Sequence, residues 1–558
     1  MKIILAAINS KFIHSNLAVR YLKSYTEDLN CVSVIKEFTI NDRVDNILEQ
    51  IIEEKAQIVA FSCYIWNIEY VVALSNLIKL VDPSIEILYG GPEVTYDSIE
   101  FLKSNKGEYV IEGEGEETYR EFVQCKLNNL DLTNVKGLYI KTSEGILYGG
   151  KRNNMDMEKI VFPYTKGESL KNKIVYYEAS RGCPFNCKYC LSSTLHGVRF
   201  QNIDRVKKEL QFLVDKGVKL IKFVDRTFNC SHNFAMEIWS FIINLNTDAT
   251  FHFEISADLL KKEEIELLKR SPKGRIQFEV GVQTTNDEVL QNINRFVNFE
   301  DIKQKVLELK SIKNIKQHLD LIAGLPGEDY NSFKNSFNDV YSIEPEEIQL
   351  GFLKLLKGSS MRYEAPKWGM VYSPYPPYEI LKTKDISYDK LLILKKVEAM
   401  VDKYYNSGKF NNILKYFIDK FPTPYDFYYK LAMFVDSKGY FKRSISSSEY
   451  YKIFLDFQEE FLNKNSKFLK EIIKFDYLKF NKRQWLPPFL KRDMDKKAKR
   501  KLKENLLDNN FNISNNSHIE KFYVDIEGFI KNGEEKEKIC YAIFDEKERE
   551  HIVFLENE

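Results

Sequence analysis

Three of the chain's eight cysteines fall close together in EASRGCPFNCKYC, where Cys183, Cys187 and Cys190 have CxxxCxxC spacing. A [4Fe–4S] cluster has four irons and is usually held by four thiolates. Three clustered thiolates would therefore leave one iron open to bind and activate another molecule. The same spacing has two competing readings, a structural zinc site and a trio of buried thiols. Structural zinc takes a closed tetrahedral set, commonly with paired CxxC elements or histidines, whereas the nearest histidine here is His196 and no second CxxC follows. Buried free thiols behave as small apolar side chains and seldom crowd beside Pro184, Asn186 and Lys188. The other cysteines, Cys31, Cys63, Cys125, Cys230 and Cys540, are scattered. In a large chain this distribution points to metal or redox chemistry and away from a disulfide framework.

Such a loop needs a rigid strand to leave from, and IVYYEAS precedes it. Between 173 and 365 the segments KLIKFVD, TFHFEIS, RIQFEVGVQ, HLDLIAGLPG and EIQLGFLKLL continue as strands, with helical stretches such as NIDRVKKELQFLVDKG between them. These βα units are fewer than the eight of a closed barrel, which predicts an open, partial (β/α)6 barrel with its chemistry at the strand carboxyl ends. Residues 1–131 show another alternation, from KIILAAI through VSVIKEF, IVAFSCY and EILYGGPE to YVIEGEGEE. That pattern predicts an α/β, doubly wound parallel sheet that binds ligands at its strand carboxyl ends. Residues 132–172 read as a linker opened by a hairpin in GLYIKTSEGILYGG, and 366–558 as a mainly helical extension ending in a hairpin through CYAIFDEKEREHIVFLE. Substrate specificity is expected from this extension and the barrel mouth.

The cluster loop followed by six βα units resembles the radical S-adenosylmethionine superfamily. That resemblance implies that the methionyl amine and carboxylate chelate the open iron, and that one-electron reduction cleaves the sulfonium to a 5′-deoxyadenosyl radical. It further implies S-adenosylmethionine contacts at Tyr189 for adenine, Asp225 in FVDRTF for the methionyl amine and Glu254 in FEISAD for ribose. Gln283 in FEVGVQ and the turn LIAGLPGE, with Gly324 and Pro326, complete the series.

Glycines let a backbone approach a large planar ligand closely. Ser62 and Cys63 in SCYIW, Gly90, Gly91, Pro92 and Glu93 in GGPE, and Gly113 and Gly115 in EGEGEE resemble the cobalamin-binding domains fused in front of such cores. Those domains often carry Asp-x-His-x-x-Gly after the first strand. Here the loop reads FIHSNL, which keeps His14 but has Phe12 and Leu17 where the Asp and Gly would be. Imidazole ligands normally rely on a second carboxylate to orient them, so cobalamin without a histidine lower ligand is the expected state. Over nearly its whole length the chain resembles a group of anaerobe proteins in this fused class with a long C-terminal extension.

The class implies methylation of an unactivated centre, with a non-methylating cyclisation or rearrangement as the alternative. A methylthiotransferase would need a second cluster, for which Cys31, Cys63 and Cys125 supply the count but not three matching loops. A non-catalytic corrinoid sensor would need no methionine-binding series. The net charge of +1 gives no global field to attract nucleic acid, and the basic run Lys491 to Lys503 reads as a solvated helix face. No run approaches the roughly 20 apolar residues of a membrane span, and MKIILAAINSKF turns polar too early for a secretory signal. The expected setting is cytoplasmic, with a small-molecule or natural-product substrate and an external low-potential electron donor of flavodoxin or ferredoxin type.

Overall fold

Successive residues of KIILAAIN face opposite sides, and both sides are buried. Ile4, Ala6 and Ile8 join one apolar core with Val59 and Ile87, while Ile3, Leu5 and Ala7 join another with Tyr119 and Phe122. A strand buried on both faces requires cover on both. The computed structural model, which describes residues 1–195, 197–462, 467–481, 483, 485–492, 494–508, 517–544 and 552–556, supplies helices on each side. Strands β1 (Lys2–Asn9), β2 (Val32–Thr39), β3 (Ile58–Ser62), β4 (Glu86–Gly90) and β5 (Tyr109–Ile111) run parallel in the order β2-β1-β3-β4-β5. The order reverses between β1 and β3, which opens a crevice at their carboxyl ends. The hairpin predicted in GLYIKTSEGILYGG forms β6 (Leu138–Thr142) and β7 (Gly145–Tyr148) and pairs antiparallel onto β5, extending the sheet to seven strands.

The second sheet starts with β8 (Ile174–Tyr177), which leads into an antiparallel ribbon of β9 (Ser180–Cys183) and β10 (Gly197–Phe200). It continues with β11 (Leu220–Phe223), β12 (Thr250–Ile255), β13 (Ile276–Gln283), β14 (Lys316–Ala323) and β15 (Glu347–Phe352), in the order β15-β14-β13-β12-β11-β8. The pairings from β8 to β14 are parallel. This is the open six-stranded partial barrel expected from the sequence. One face is apolar: Phe223 stacks on Phe253 at 4.4 Å, and Phe278 meets Trp239 of helix His232–Asn244 at 5.5 Å. The alternate positions carry Lys222, His252, Glu254, Glu279, His318 and Asp320, so the inner face is polar.

An open barrel has exposed strand edges, which proteins usually cover. The loop after β1 does this for β8. Ile174 N–H donates to the Ile13 carbonyl at 2.7 Å, Ser15 N–H donates to the Ile174 carbonyl at 3.4 Å, and His14 forms a parallel bridge with Ile174.

The chain divides into two compact units, one of residues 1–333 and 351–388 and the other of 334–350 and 389–558. The second unit is mainly helical, with the Phe417 ring in contact with those of Phe427, Phe454 and Phe457. Its buried Asp476 accepts from the backbone N–H groups of Asn412 and Ile413, both at 3.1 Å. Strands His518–Val524, Glu537–Phe544 and Ile552–Glu556 form an antiparallel sheet, so the terminal hairpin gains a third strand, and its turn at 545–551 lies outside the described residues. His196 lies outside them as well. The basic run enters helix Lys496–Asp508, where Lys499 pairs with the buried Glu520 at 2.8 Å while Lys497, Arg500 and Lys501 are exposed. No helix of the described residues is long and apolar enough to cross a membrane.

Phe253 is fully buried on the helix-facing side of β12. Phe253→Ala should cost about 3–5 kcal/mol, read as a lower urea midpoint for the first unit's unfolding. An unchanged midpoint would contradict its place in that core.

Candidate functional site

The cysteine loop springs from the ribbon of β9 and β10, in which Cys183 pairs with Gly197 and Gly182 with Val198. Gly182 has φ +100°, and a Cβ there would lie 2.0 Å from the Gly197 carbonyl oxygen, so the ribbon closes only around glycine. Each of the three sulfurs has a polar neighbour. Thr227 Oγ1 is 3.5 Å from Cys183 Sγ, Arg295 Nη1 is 3.9 Å from Cys187 Sγ, and Ser192 N–H is 3.4 Å from Cys190 Sγ. Burial pushes the Cys187 thiol up, and the Arg295 guanidinium beside it pulls the other way. The Thr227 hydroxyl donates to the Arg226 carbonyl at 2.8 Å, so Arg295 and Ser192 N–H are the donors facing sulfur, which is what a thiolate-held iron–sulfur cluster uses to tune its potential. The far side of the loop is tied down by Lys188 N–H on the Ile293 carbonyl at 3.0 Å and Asn294 Nδ2 on the Asn186 carbonyl at 2.9 Å.

Asp225, expected at the methionyl amine, is 1% exposed and accepts from Ala179 N–H at 3.0 Å and from the Ser180 hydroxyl. In this position it anchors the start of the cysteine loop. Glu254 faces Arg226 at 3.4 Å. Tyr189 lies between the second and third cysteines and is partly exposed. Gln283 is buried with φ +71°, a strained value for a residue with a Cβ, and its Oε1 has no partner. Gly324 has φ +86°, and the Pro326 carbonyl accepts from Asn292 Nδ2 at 3.1 Å.

In the first sheet the cobalamin candidates cluster at the carboxyl ends of β3, β4 and β5. Ser62 Oγ accepts from Asn16 Nδ2 at 3.3 Å across the crevice. Cys63 is fully buried, and burial pushes its thiol well up, which makes it an apolar packing residue. A Cβ on Gly91 would lie 2.6 Å from the Cys63 carbonyl oxygen, so two loops touch there through glycine. Gly90 ends β4, and Pro92 starts the short helix Pro92–Thr95. Glu93 is 5% exposed and faces Lys357 at 3.2 Å and the Tyr378 hydroxyl. Gly115 precedes helix Glu116–Asn128, whereas Gly113 has open space where a Cβ would stand. His14 Nδ1 lies 2.8 Å from the Tyr176 hydroxyl on β8, so a phenol orients this imidazole in place of a carboxylate. Tyr64 and Trp66 stack at 4.4 Å.

Sequence reading missed the ionic frame. The Arg181 side chain, 10% exposed, meets Glu178 at 2.9 Å, Glu114 at 3.5 Å and Glu116. Glu114 also takes Arg199 of β10. The acids of EGEGEE therefore grip the cysteine ribbon, a partnership that only the distant arginines of SRGC and GVRF could have hinted at. Cys31 and Cys125 adjoin the core on one side of the first sheet and Cys63 the core on the other, so these three thiols do not converge.

Burial pushes the Asp225 carboxyl up to about 7, against its hydrogen bonds to Ser180 and Ala179. Unfolded, it titrates near pH ~4, so between those values the folded chain holds the extra proton. Stability from this group is present below pH ~4 and is lost as pH rises through about 7. The stability of Asp225→Asn relative to the parent, by urea unfolding, should therefore climb on the order of a few kcal/mol from pH ~4 to ~8. A flat difference would contradict the placement.

Comparison with known proteins agrees with this layout. Residues 3–123 match the B12 binding domain, 177–340 the Radical SAM superfamily, and 366–544 a protein family of unknown function, DUF4080. The cobalamin-dependent radical SAM methyltransferase TokK of Streptomyces tokunonensis is 22% identical over 352 residues, covering 58% of this chain and 51% of TokK. The chain thus spans about half the length of that relative. TsrM from Kitasatospora setae, a radical S-adenosylmethionine methyltransferase solved with cobalamin and a [4Fe–4S] cluster, superposes with a TM-score of 0.58 at 14% identity, covering 68% of this chain and 78% of TsrM. OxsB, a cobalamin-dependent S-adenosylmethionine radical enzyme solved with aqua-cobalamin and S-adenosylmethionine, gives 0.53 at 14% identity, covering 91% of this chain and 75% of OxsB. At these identities the structures speak for the fold alone. The domain matches thus give the chain a B12 binding domain, a Radical SAM domain and a DUF4080 region, in that order.

Proposed function

We propose that this protein is a cobalamin-dependent radical S-adenosylmethionine methyltransferase acting on an unactivated centre of a small-molecule substrate, with an external low-potential flavodoxin or ferredoxin as electron donor. The observation that carries the reading is the three-cysteine loop at the mouth of an open parallel barrel, each thiol with a polar neighbour, in one compact unit with the glycine loops of the B12-binding domain. The cluster, S-adenosylmethionine and methylcobalamin, when bound, supply one-electron cleavage of a sulfonium and a transferable methyl group.

This chain's residues hold and orient those groups. Cys183, Cys187 and Cys190 would hold the cluster, with Arg295 and Ser192 N–H donating to the second and third thiolates and Thr227 packed beside the first. Asp225 and Arg181 fix the loop's start. Tyr189, Glu254, Gln283, Gly324 and Pro326 border the S-adenosylmethionine site. Ser62, Gly90, Gly91, Gly113 and Gly115 give the corrinoid close access to backbone, with Gly113 the most open of these. His14, tied to Tyr176, sits at the barrel edge and is not assigned as a cobalt ligand. The scattered placement of Cys31, Cys63 and Cys125 weighs against a methylthiotransferase.

Anaerobic reconstitution should give about four irons per chain together with bound cobalamin, and methyl-labelled S-adenosylmethionine should pass label to product alongside 5′-deoxyadenosine. About eight irons, or no cobalamin, would overturn the reading. Alanine in place of Cys183, Cys187 or Cys190 should abolish 5′-deoxyadenosine formation while cobalamin binding persists. Retained cleavage in any of the three would refute the ligand assignment.

A further inference from the structure

The inner face of the barrel holds more charge than packing requires. Glu254 and Glu279 are register neighbours on β12 and β13, Glu279 is the neighbour of His318 on β14, and one step further up Gly281 is the neighbour of Asp320. Two of the three carboxylates have a cation, since Lys222 meets Glu279 at 3.1 Å and Arg226 meets Glu254 at 3.4 Å. Arg295 is spent on the Gly281 carbonyl at 2.6 Å and on Cys187 Sγ at 3.9 Å. Asp320 is left over. Its Oδ1 is buried, and among the described residues nothing reaches it. The neighbouring strand has Gly281 at that level, and the Gln283 amide lies over that glycine with its own Oε1 also unpartnered, so neither group meets Asp320 Oδ1.

A second orphan lies deeper. His252 is 5% exposed, its Nε2 is 3.3 Å from Glu279, and its Nδ1 has no partner. With Nε2–H given to Glu279, Nδ1 is an acceptor. Two buried acceptors on one polar face, both without donors, ask for a ligand rich in N–H or O–H groups, because an unmet buried acceptor is costly.

Resting on the methyltransferase reading above, we propose that the barrel lumen takes a substrate bearing a protonated primary amine, with the ammonium seated on Asp320 beside Glu254 and Glu279. An ammonium brings three donors and the missing positive charge, whereas a hydrocarbon substrate would leave both acceptors unmet. Burial, reinforced by Glu279 and Glu254 and opposed by Lys222 and Arg295, holds the empty Asp320 carboxyl well above the usual carboxylate range. Docking then breaks the carboxyl O–H bond, releases that proton to solvent, and leaves a carboxylate that accepts N–H from the ammonium.

The test is calorimetric titration of the full chain, loaded with cluster and cobalamin, using ethanolamine against ethylene glycol, glucosamine against glucose, and cadaverine against 1,5-pentanediol. At least one amine should bind about ten-fold or more tightly than its hydroxyl counterpart, the loss expected for one charge-assisted contact, with buffer-dependent heat reporting the released proton. Asp320→Asn should erase that preference, and Glu279→Gln should reduce it and decides the matter if the first variant does not fold. Equal binding within every pair, no binding by any amine, or a preference that survives Asp320→Asn would overturn the proposal. So would a loss confined to S-adenosylmethionine binding, which would assign Asp320 to the methionyl amine. Titration needs no turnover, so absent 5′-deoxyadenosine would count against the methyltransferase reading while leaving the amine comparison legible.

Discussion

The guanidinium of Arg181 has to be met by carboxylates, since a charge removed from water without a partner costs several kcal/mol. It is met by Glu114 and Glu116 from the first sheet's last crossover and by Glu178 from the end of β8. Glu178 itself, pushed up by burial, is drawn back by the same arginine. The cysteine ribbon thus starts at a point fixed from two domains, and Arg199 repeats the arrangement one strand over. Beside those ions, the Tyr96 hydroxyl of the first domain meets Thr194 Oγ1 at 2.9 Å, just before β10.

The barrel obeys a second constraint, that its strands have two unlike faces. The outer one is sealed by Phe223, Phe253 and Phe278 against the helices. The inner one keeps Lys222, His252, Glu254, Glu279, His318 and Asp320 away from that core, in a lumen that leaves Lys222 31% and Arg226 54% exposed. Parallel strands buried by apolar packing on both sides read as continuous apolar runs. Their alternation here marks a surface meant to face a polar occupant.

The loop FIHSNL fastens the first sheet to the edge of the barrel. Without the carboxylate that would orient an imidazole toward metal, His14 instead bridges to Ile174 and meets Tyr176. The edge of β8 is thereby covered by the same segment. Glu93 follows the same logic, since the glycine turn that carries it is fastened by Lys357 and Tyr378 from beyond the barrel.

The sequence alone determined the features set by short-range spacing. These are the cysteine triad, the glycine-bearing loops that follow the strands, and two runs of alternating strands and helices, because spacing and periodicity are local properties of the chain. The interlocked roles were decided only by tertiary structure. Asp225 lies at a strand end where a ligand contact was expected, yet its oxygens go to Ala179 and Ser180 of a neighbouring strand's loop. Arg181 and Arg295 gave little local signal, because apart from Glu178, three residues before Arg181, the carboxylates and the thiol they meet lie tens to more than a hundred residues away and are chosen by which strands become neighbours. The unmet acceptors of Asp320 and His252 follow the same rule. A polar residue in a strand declares its face by its position, but whether anything reaches it depends on the side chains that the open barrel brings opposite.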